Sequence, residues 1–147
     1  MFRLRRSHLS TLVLISSAAA LSACASNSAS RGADSVEAIH PDAVTEISIN
    51  VGSSVALMLP GNAGTGYEWV LAGDLPGFLR QRGVSEFVAK DISKVGSQGD
   101  TRFVFEAMET GEGAIRFHYL RSWKQDAKPA RWAEADITAI VAKSGGG

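Results

Sequence analysis

Val55-Ala56-Leu57-Met58-Leu59-Pro60-Gly61-Asn62-Ala63-Gly64-Thr65-Gly66-Tyr67-Glu68-Trp69 is the stretch on which the fold turns. Both ends keep a period of two, with Val55, Leu57 and Leu59 before the centre and Tyr67, Trp69 and Leu71 after it. Such alternation marks half-buried strands. Gly61 to Gly66 holds only small and polar residues, so it joins those strands as a loop. Three of its six positions are glycine, which permits positive φ and lets another backbone come close. Asn62 and Thr65 are suited to fixing the loop by hydrogen-bonding its own main chain. Taken alone, the loop reads first as a generous hairpin connection; the rest of the chain makes it a surface held out for contact.

The same period spreads outward. Ile47, Ile49 and Val51 alternate upstream and reach the Gly52-Ser53 turn. Downstream, Gly73 to Gly77 breaks the pattern, Phe78 to Arg82 reads as a helical turn, and Val84 to Lys90 gives a short strand centred on Phe87. A second glycine loop, Lys94 to Asp100, contains Gly96 and Gly99 and precedes Phe103, Phe105 and Ala107. Gly111-Glu112-Gly113 reverses the chain into Ile115, Phe117 and Tyr119. A third loop, 121–130, leads to a last strand within Trp132 to Ala142, where Ala135, Ile137, Ala139 and Val141 share a face. About seven short strands without a long helix predict an all-β, immunoglobulin-like antiparallel β-sandwich, with an open barrel as the alternative. Greek-key connectivity brings loops 61–66, 95–100 and 121–130 to one end. Phe103, Phe105, Phe117, Tyr119, Tyr67 and Trp69 read as core. Trp123, with Lys124, Gln125 and Asp126 beside it, reads as an exposed anchor.

The N-terminus has a separate logic. Arg3, Arg5 and Arg6 precede a short apolar stretch that ends in Leu21-Ser22-Ala23-Cys24. The stretch is shorter than the roughly 20 residues of a membrane-spanning helix and reads as an export signal over 1–23. The tetrapeptide resembles the bacterial lipoprotein pattern, which implies that Cys24 becomes a lipidated N-terminus. Cys24 is the sole cysteine, and acylation accounts for a thiol that has no disulfide partner. Several acyl chains hold far better than one. Ala25 in place of aspartate points, by the same resemblance, to the periplasmic face of an outer membrane. Residues 24–42, rich in serine, read as a lipidated tether, 43–143 as one domain of ordinary size, and 144–147 as a flexible tail.

Charge and composition exclude several functions. Cleavage removes three arginines and no acids from a chain with 15 basic and 15 acidic residues, leaving a net charge of −3. No basic cluster remains to neutralise phosphates, so nucleic acid is not an expected partner. Catalysis or a metal site needs His, Cys or grouped carboxylates within mutual reach. His8 is removed, His40 falls in the tether and His118 stands alone on a strand. Neither enzyme activity nor a cofactor nor a metal is expected.

The three loops together resemble the chagasin family of cysteine-protease inhibitors, whose signatures are Asn-Pro-Thr-Thr-Gly-Phe/Tyr, Gly-x-Gly-Gly and Arg-Pro-Trp. The first corresponds to Asn62, Thr65, Gly66 and Tyr67, with Ala63 in place of proline and Gly64 in place of the first threonine. The second corresponds to Gly96 and Gly99, with Gln98 at a glycine position. The third corresponds to Arg121 and Trp123, with Ser122 in place of proline. The resemblance spans about Ile47 to Val141. It implies a monomeric, non-covalent inhibitor of papain-like cysteine proteases, whose first loop covers the catalytic cysteine. Asn62, Gly64, Thr65, Gly66, Tyr67, Gly96, Gly99, Arg121 and Trp123 are the binding residues it implies. The alternative is a membrane-anchored lipoprotein that binds a non-protease envelope or periplasmic partner through the same loops.

Overall fold

The computed structural model describes residues 33–124 and 126–143. The export signal, Cys24 and residues 144–147 lie outside the described residues. Strands follow in the order β1 (Ser35–Ala38), β2 (Val44–Asn50), β3 (Ser54–Asn62), β4 (Glu68–Leu71), β5 (Leu79–Gln81), β6 (Glu86–Ala89), β7 (Gln98–Ala107), β8 (Gly111–Leu120) and β9 (Arg131–Ile140). One sheet runs β1-β3-β7-β5 with β6 also paired to β7, and the other runs β2-β9-β8-β4. Two stacked sheets make the immunoglobulin-like sandwich and not the open barrel.

Alternation decides which face each strand buries. On β7, Phe103, Phe105 and Ala107 point inward while Arg102, Val104 and Glu106 are partly exposed. On β8, Ile115 and Phe117 are buried and Arg116 is exposed. The sheets meet through aromatic rings: Phe117 lies 5.0 Å from Phe103 and 6.4 Å from Phe105, centroid to centroid. Ala133, Ala135 and Ala139 of β9 are buried in the same core, small residues that leave room for those rings. Outside the core, Glu106 receives Arg80 at 2.8 Å and Arg82 at 3.4 Å. The Arg80 hydrogen bond is the main reason its carboxyl is held below the usual carboxylate range.

Several expectations change. The tether of 24–42 is folded in its later part: β1 pairs in parallel with β3, and Ile39 is buried. Asp34 fastens this segment, its carboxylate accepting from the Ser54 amide at 2.7 Å and the Ser54 hydroxyl at 3.1 Å. Phe78 to Arg82 is not a helical turn, because burial of Phe78 and Leu79 draws Leu79–Gln81 onto β7 as a strand. Val141 is exposed because β9 ends at Ile140. These segments raise the strand number from about seven to nine among the described residues. Not every pair is antiparallel: β1 with β3 and β2 with β9 are parallel.

The registers place the three loops at one pole. Asn62 pairs with Gln98, Glu68 with Leu120, and Tyr119 with Arg131. The β3–β4, β6–β7 and β8–β9 connections therefore leave the sandwich together.

Candidate functional site

The first loop is built by its own polar side chains. Asn62 ends β3 in extended backbone, and its side-chain oxygen accepts from the Gly64 amide at 2.9 Å. Ala63 to Thr65 form one 3-10 turn, and Gly66 closes it at φ 72°. The Thr65 hydroxyl donates to the Asn62 carbonyl at 2.8 Å and accepts from the Tyr67 amide at 3.3 Å. Asn62 and Thr65 thus order the loop, leaving Ala63, Gly64 and Thr65 exposed at its tip.

Beneath the tip stands Tyr119, which the sequence places only in the core. Its hydroxyl accepts from the Asn62 amide at 3.2 Å and lies 3.5 Å from the Thr65 hydroxyl. Its ring stacks on Tyr67 at 5.4 Å and tilts against Trp69 at 5.0 Å. Trp69 is buried, and its indole donates to the Pro60 carbonyl at 2.9 Å. Tyr119 is therefore the post on which the first loop rests. Tyr119→Phe removes the acceptor of a partly buried amide and is expected to cost about 0.5–1.5 kcal/mol, read as a lower denaturation midpoint with an unchanged slope.

The other two loops touch the first. The guanidinium of Arg121 lies over the Tyr67 ring at 4.7 Å, a cation–π contact that ties the third loop to the first. The Trp123 indole packs over Gly66, where a β-carbon would stand 2.5 Å from its ring. Trp123 nevertheless stays 67% exposed, an unusual state for a side chain with so much apolar surface. The Ser122 hydroxyl donates to the Glu68 carboxylate, a partner that the sequence offered no means of choosing without the strand register. On the opposite flank, a β-carbon at Gly64 would lie 3.2 Å from the Gly96 Cα, so these two glycines let the first and second loops meet.

The second loop is shorter than 95–100, because β7 already begins at Gln98. Gly96 lies in the loop at φ 71°. Gly99 is a strand residue, buried beneath β6. A β-carbon there would stand 2.6 Å from the Phe87 ring and 2.9 Å from the Ala89 Cα. Its glycine serves the fit of β6 on β7. At the start of this loop, hydrogen bonds from the Ser93 hydroxyl at 2.6 Å and amide at 3.0 Å hold the Asp91 carboxyl below its ordinary range.

A groove of about 320 Å³ opens beside the first loop, lined by Tyr67, Trp69, Phe87, Tyr119 and Trp123 among others. Among the described residues no group of three or more His, Cys, Asp and Glu is placed to hold a metal. What the pole offers is a ridge of exposed glycine-rich backbone flanked by one large aromatic side chain and a shallow aromatic groove.

Comparisons with known proteins agree with this geometry. A family model described as chagasin family peptidase inhibitor I42 matches residues 48–138. No curated protein matches the chain in sequence. Among solved structures, the chain is similar to a cysteine protease inhibitor from Entamoeba histolytica, with TM-score 0.54 and 16% identity over 72% of this chain and 96% of that one. It is also similar to amebosin, with TM-score 0.54 and 25% identity over 74% of this chain and 100% of the other. With a family match across most of the folded domain and three loops meeting at one pole, the chain belongs to the chagasin family of peptidase inhibitors.

Proposed function

We propose that this protein inhibits papain-like cysteine proteases without covalent chemistry, by setting its three loops into the active-site cleft. The observation that carries the reading is the contact of all three loops at one pole, with Gly64 against Gly96 and Gly66 beneath an exposed Trp123. The exposed turn Ala63-Gly64-Thr65 enters the cleft and covers the catalytic thiol. Its backbone is folded back into a 3-10 turn, which is not the extended shape that a protease cleaves. The second loop runs along one wall, where main chain meets main chain. Trp123 lies on the other wall, and Arg121 holds the third loop through Tyr67. About 800 Å² buried on each partner is ordinary for such a pair. The lipid on Cys24 holds the mature protein at the periplasmic face of an outer membrane.

Two departures from the family signatures have local compensation. Gly64 in place of threonine admits Gly96, and Ser122 in place of proline gains the Glu68 carboxylate. Ala63 has none. Proline suits the first position of a helical turn, and Asn62 already has the extended backbone that precedes proline, with φ −139° and ψ 111°. Ala63→Pro is expected to strengthen inhibition about two- to fivefold by removing roughly 0.4–1 kcal/mol of loop entropy, measured as a ratio of inhibition constants.

The reading is tested by titrating papain and a cathepsin-type protease with residues 25–147, prepared without lipid. Inhibition below micromolar concentration supports it. A folded domain that leaves several such proteases active at micromolar concentration contradicts it.

A further inference from the structure

The groove beside the first loop lies between the two sheets. Trp69 and Tyr119 line it from one sheet and Thr101 from the other, with the more exposed Phe87 and Trp123 at its margins. It stays open to the side because β4 forms the edge of one sheet, while β6, laid on β7, forms an edge of the other. Its volume of about 320 Å³ is at the low end of ligand-sized cavities. One large side chain fills such a space.

Thr101 adds the polar requirement. It is only 8% exposed, and its hydroxyl has no hydrogen-bond partner among the described residues. Buried hydroxyls are ordinarily paired, so this one is left for whatever enters. The rest of the lining selects against charge. None of the described residues around the groove is basic, so a carboxylate gains no counter-charge there. The one acid, Glu68, already accepts from the Ser122 hydroxyl, which leaves little for a lysine or arginine. A plain hydrocarbon group would seal the Thr101 hydroxyl away from water unpaired. A phenol suits every wall: its ring packs on aromatic side chains, and its hydroxyl both donates and accepts.

We propose that the groove receives a tyrosine side chain from the rim of the protease cleft, with the phenol hydroxyl meeting Thr101. Asn62, Ala63 and Gly66 border both this groove and the loop tip that enters the cleft, so a cleft covered by the tip has its rim over the groove. The proposal rests on the inhibitory reading of the preceding section. It adds recognition in the reverse sense, in which a protease side chain enters the inhibitor.

The buried hydrophobic core falls between Ile39 and Ala139, so residues 25–147 hold the whole described fold and serve for the test. Ser85→Trp fills the groove from an exposed lining position, and Thr101→Val removes the hydroxyl while keeping the shape. Ser85→Trp is expected to weaken inhibition of papain and a cathepsin-type protease about tenfold or more. Thr101→Val is expected to weaken it about three- to tenfold, and neither change lowers the denaturation midpoint. p-Cresol and toluene, which carry the side chains of tyrosine and phenylalanine, give a reading that needs no protease. Their binding is followed through the indole N–H resonances of Trp69 and Trp123. The ratio of affinities, p-cresol over toluene, is expected to fall at least about threefold on Thr101→Val. No shift with p-cresol, or an unchanged ratio, overturns the phenol at Thr101. If the native domain inhibits and both variants stay within about twofold of it, the tyrosine is overturned while the inhibitory reading stands. Self-association of the native domain that Ser85→Trp abolishes makes a second copy the occupant and also overturns the proposal. If the native domain inhibits neither protease, the inhibitory reading itself falls and takes the protease tyrosine with it.

Discussion

Trp123→Ala is expected to weaken inhibition of papain about 30-fold or more while leaving the domain as stable as before. Aromatic anchors at the centre of an interface cost about 2 kcal/mol or more on truncation, and each 1.4 kcal/mol is about a factor of ten. Trp123 meets the structural conditions for such an anchor. Its indole is 67% exposed in the free protein, so binding has a large apolar area to bury. Gly66 supports it from beneath, which limits the side-chain entropy lost on association. The same exposure means that the core has little stake in it. Inhibition constants and denaturation midpoints, measured on the same preparations, separate the two effects. A loss below about threefold, roughly 0.65 kcal/mol, places the binding energy elsewhere.

Phe117→Ala acts in the opposite way, through stability. Phe117 is fully buried and brings β8 of one sheet against Phe103 and Phe105 of the other. Removing a buried phenylalanine leaves a cavity and costs about 3–5 kcal/mol. For a domain of about a hundred residues, each 1 kcal/mol lowers the melting temperature by about 4–8 °C, so a fall of at least about 12 °C is expected. Thermal unfolding followed by circular dichroism measures it. A fall of only a few degrees contradicts the account of how the sheets are joined. What remains folded should bind with nearly unchanged affinity, because the substitution lies in the core and not among the loops.

The sandwich was legible wherever one face of a strand is buried and the other wet. β7, β8 and β9 are such strands, and their inward residues alternate as the sequence announces, whereas β3 buries Ser54 to Leu57 without a break. Legibility stopped at the edges. β1 exposes Val36 and owes its place to Asp34 and a parallel partner twenty residues away, neither of which leaves a local period. β5 is three residues long, too short for alternation to register against the helical reading of Phe78 to Arg82. Among the site residues, Asn62, Thr65 and Trp123 were legible because short polar side chains near glycines, and a tryptophan among charged residues, have few other uses. Tyr119 was hidden because a strand aromatic reads as core, and only the register reveals its hydroxyl beneath the first loop. Gly99 misled for the reverse reason: a glycine beside a loop resembles a loop residue until the strand packed over it is seen. Glu68 could not be paired with Ser122 before β4 was placed beside β8.

The central claim is that the folded first loop covers the catalytic thiol of a papain-like protease without reacting with it. The most direct measurement is the rate at which a small alkylating reagent modifies the papain thiol in the presence of saturating domain, with both proteins then weighed by mass spectrometry. The account predicts a thiol protected at least about tenfold, an intact and unmodified domain, and protection lost when Trp123→Ala replaces the native chain at a concentration that no longer saturates. An unprotected thiol alongside bound domain would place the interface away from the cleft, and cleavage between Gly64 and Thr65 would make the loop a substrate instead of a wedge.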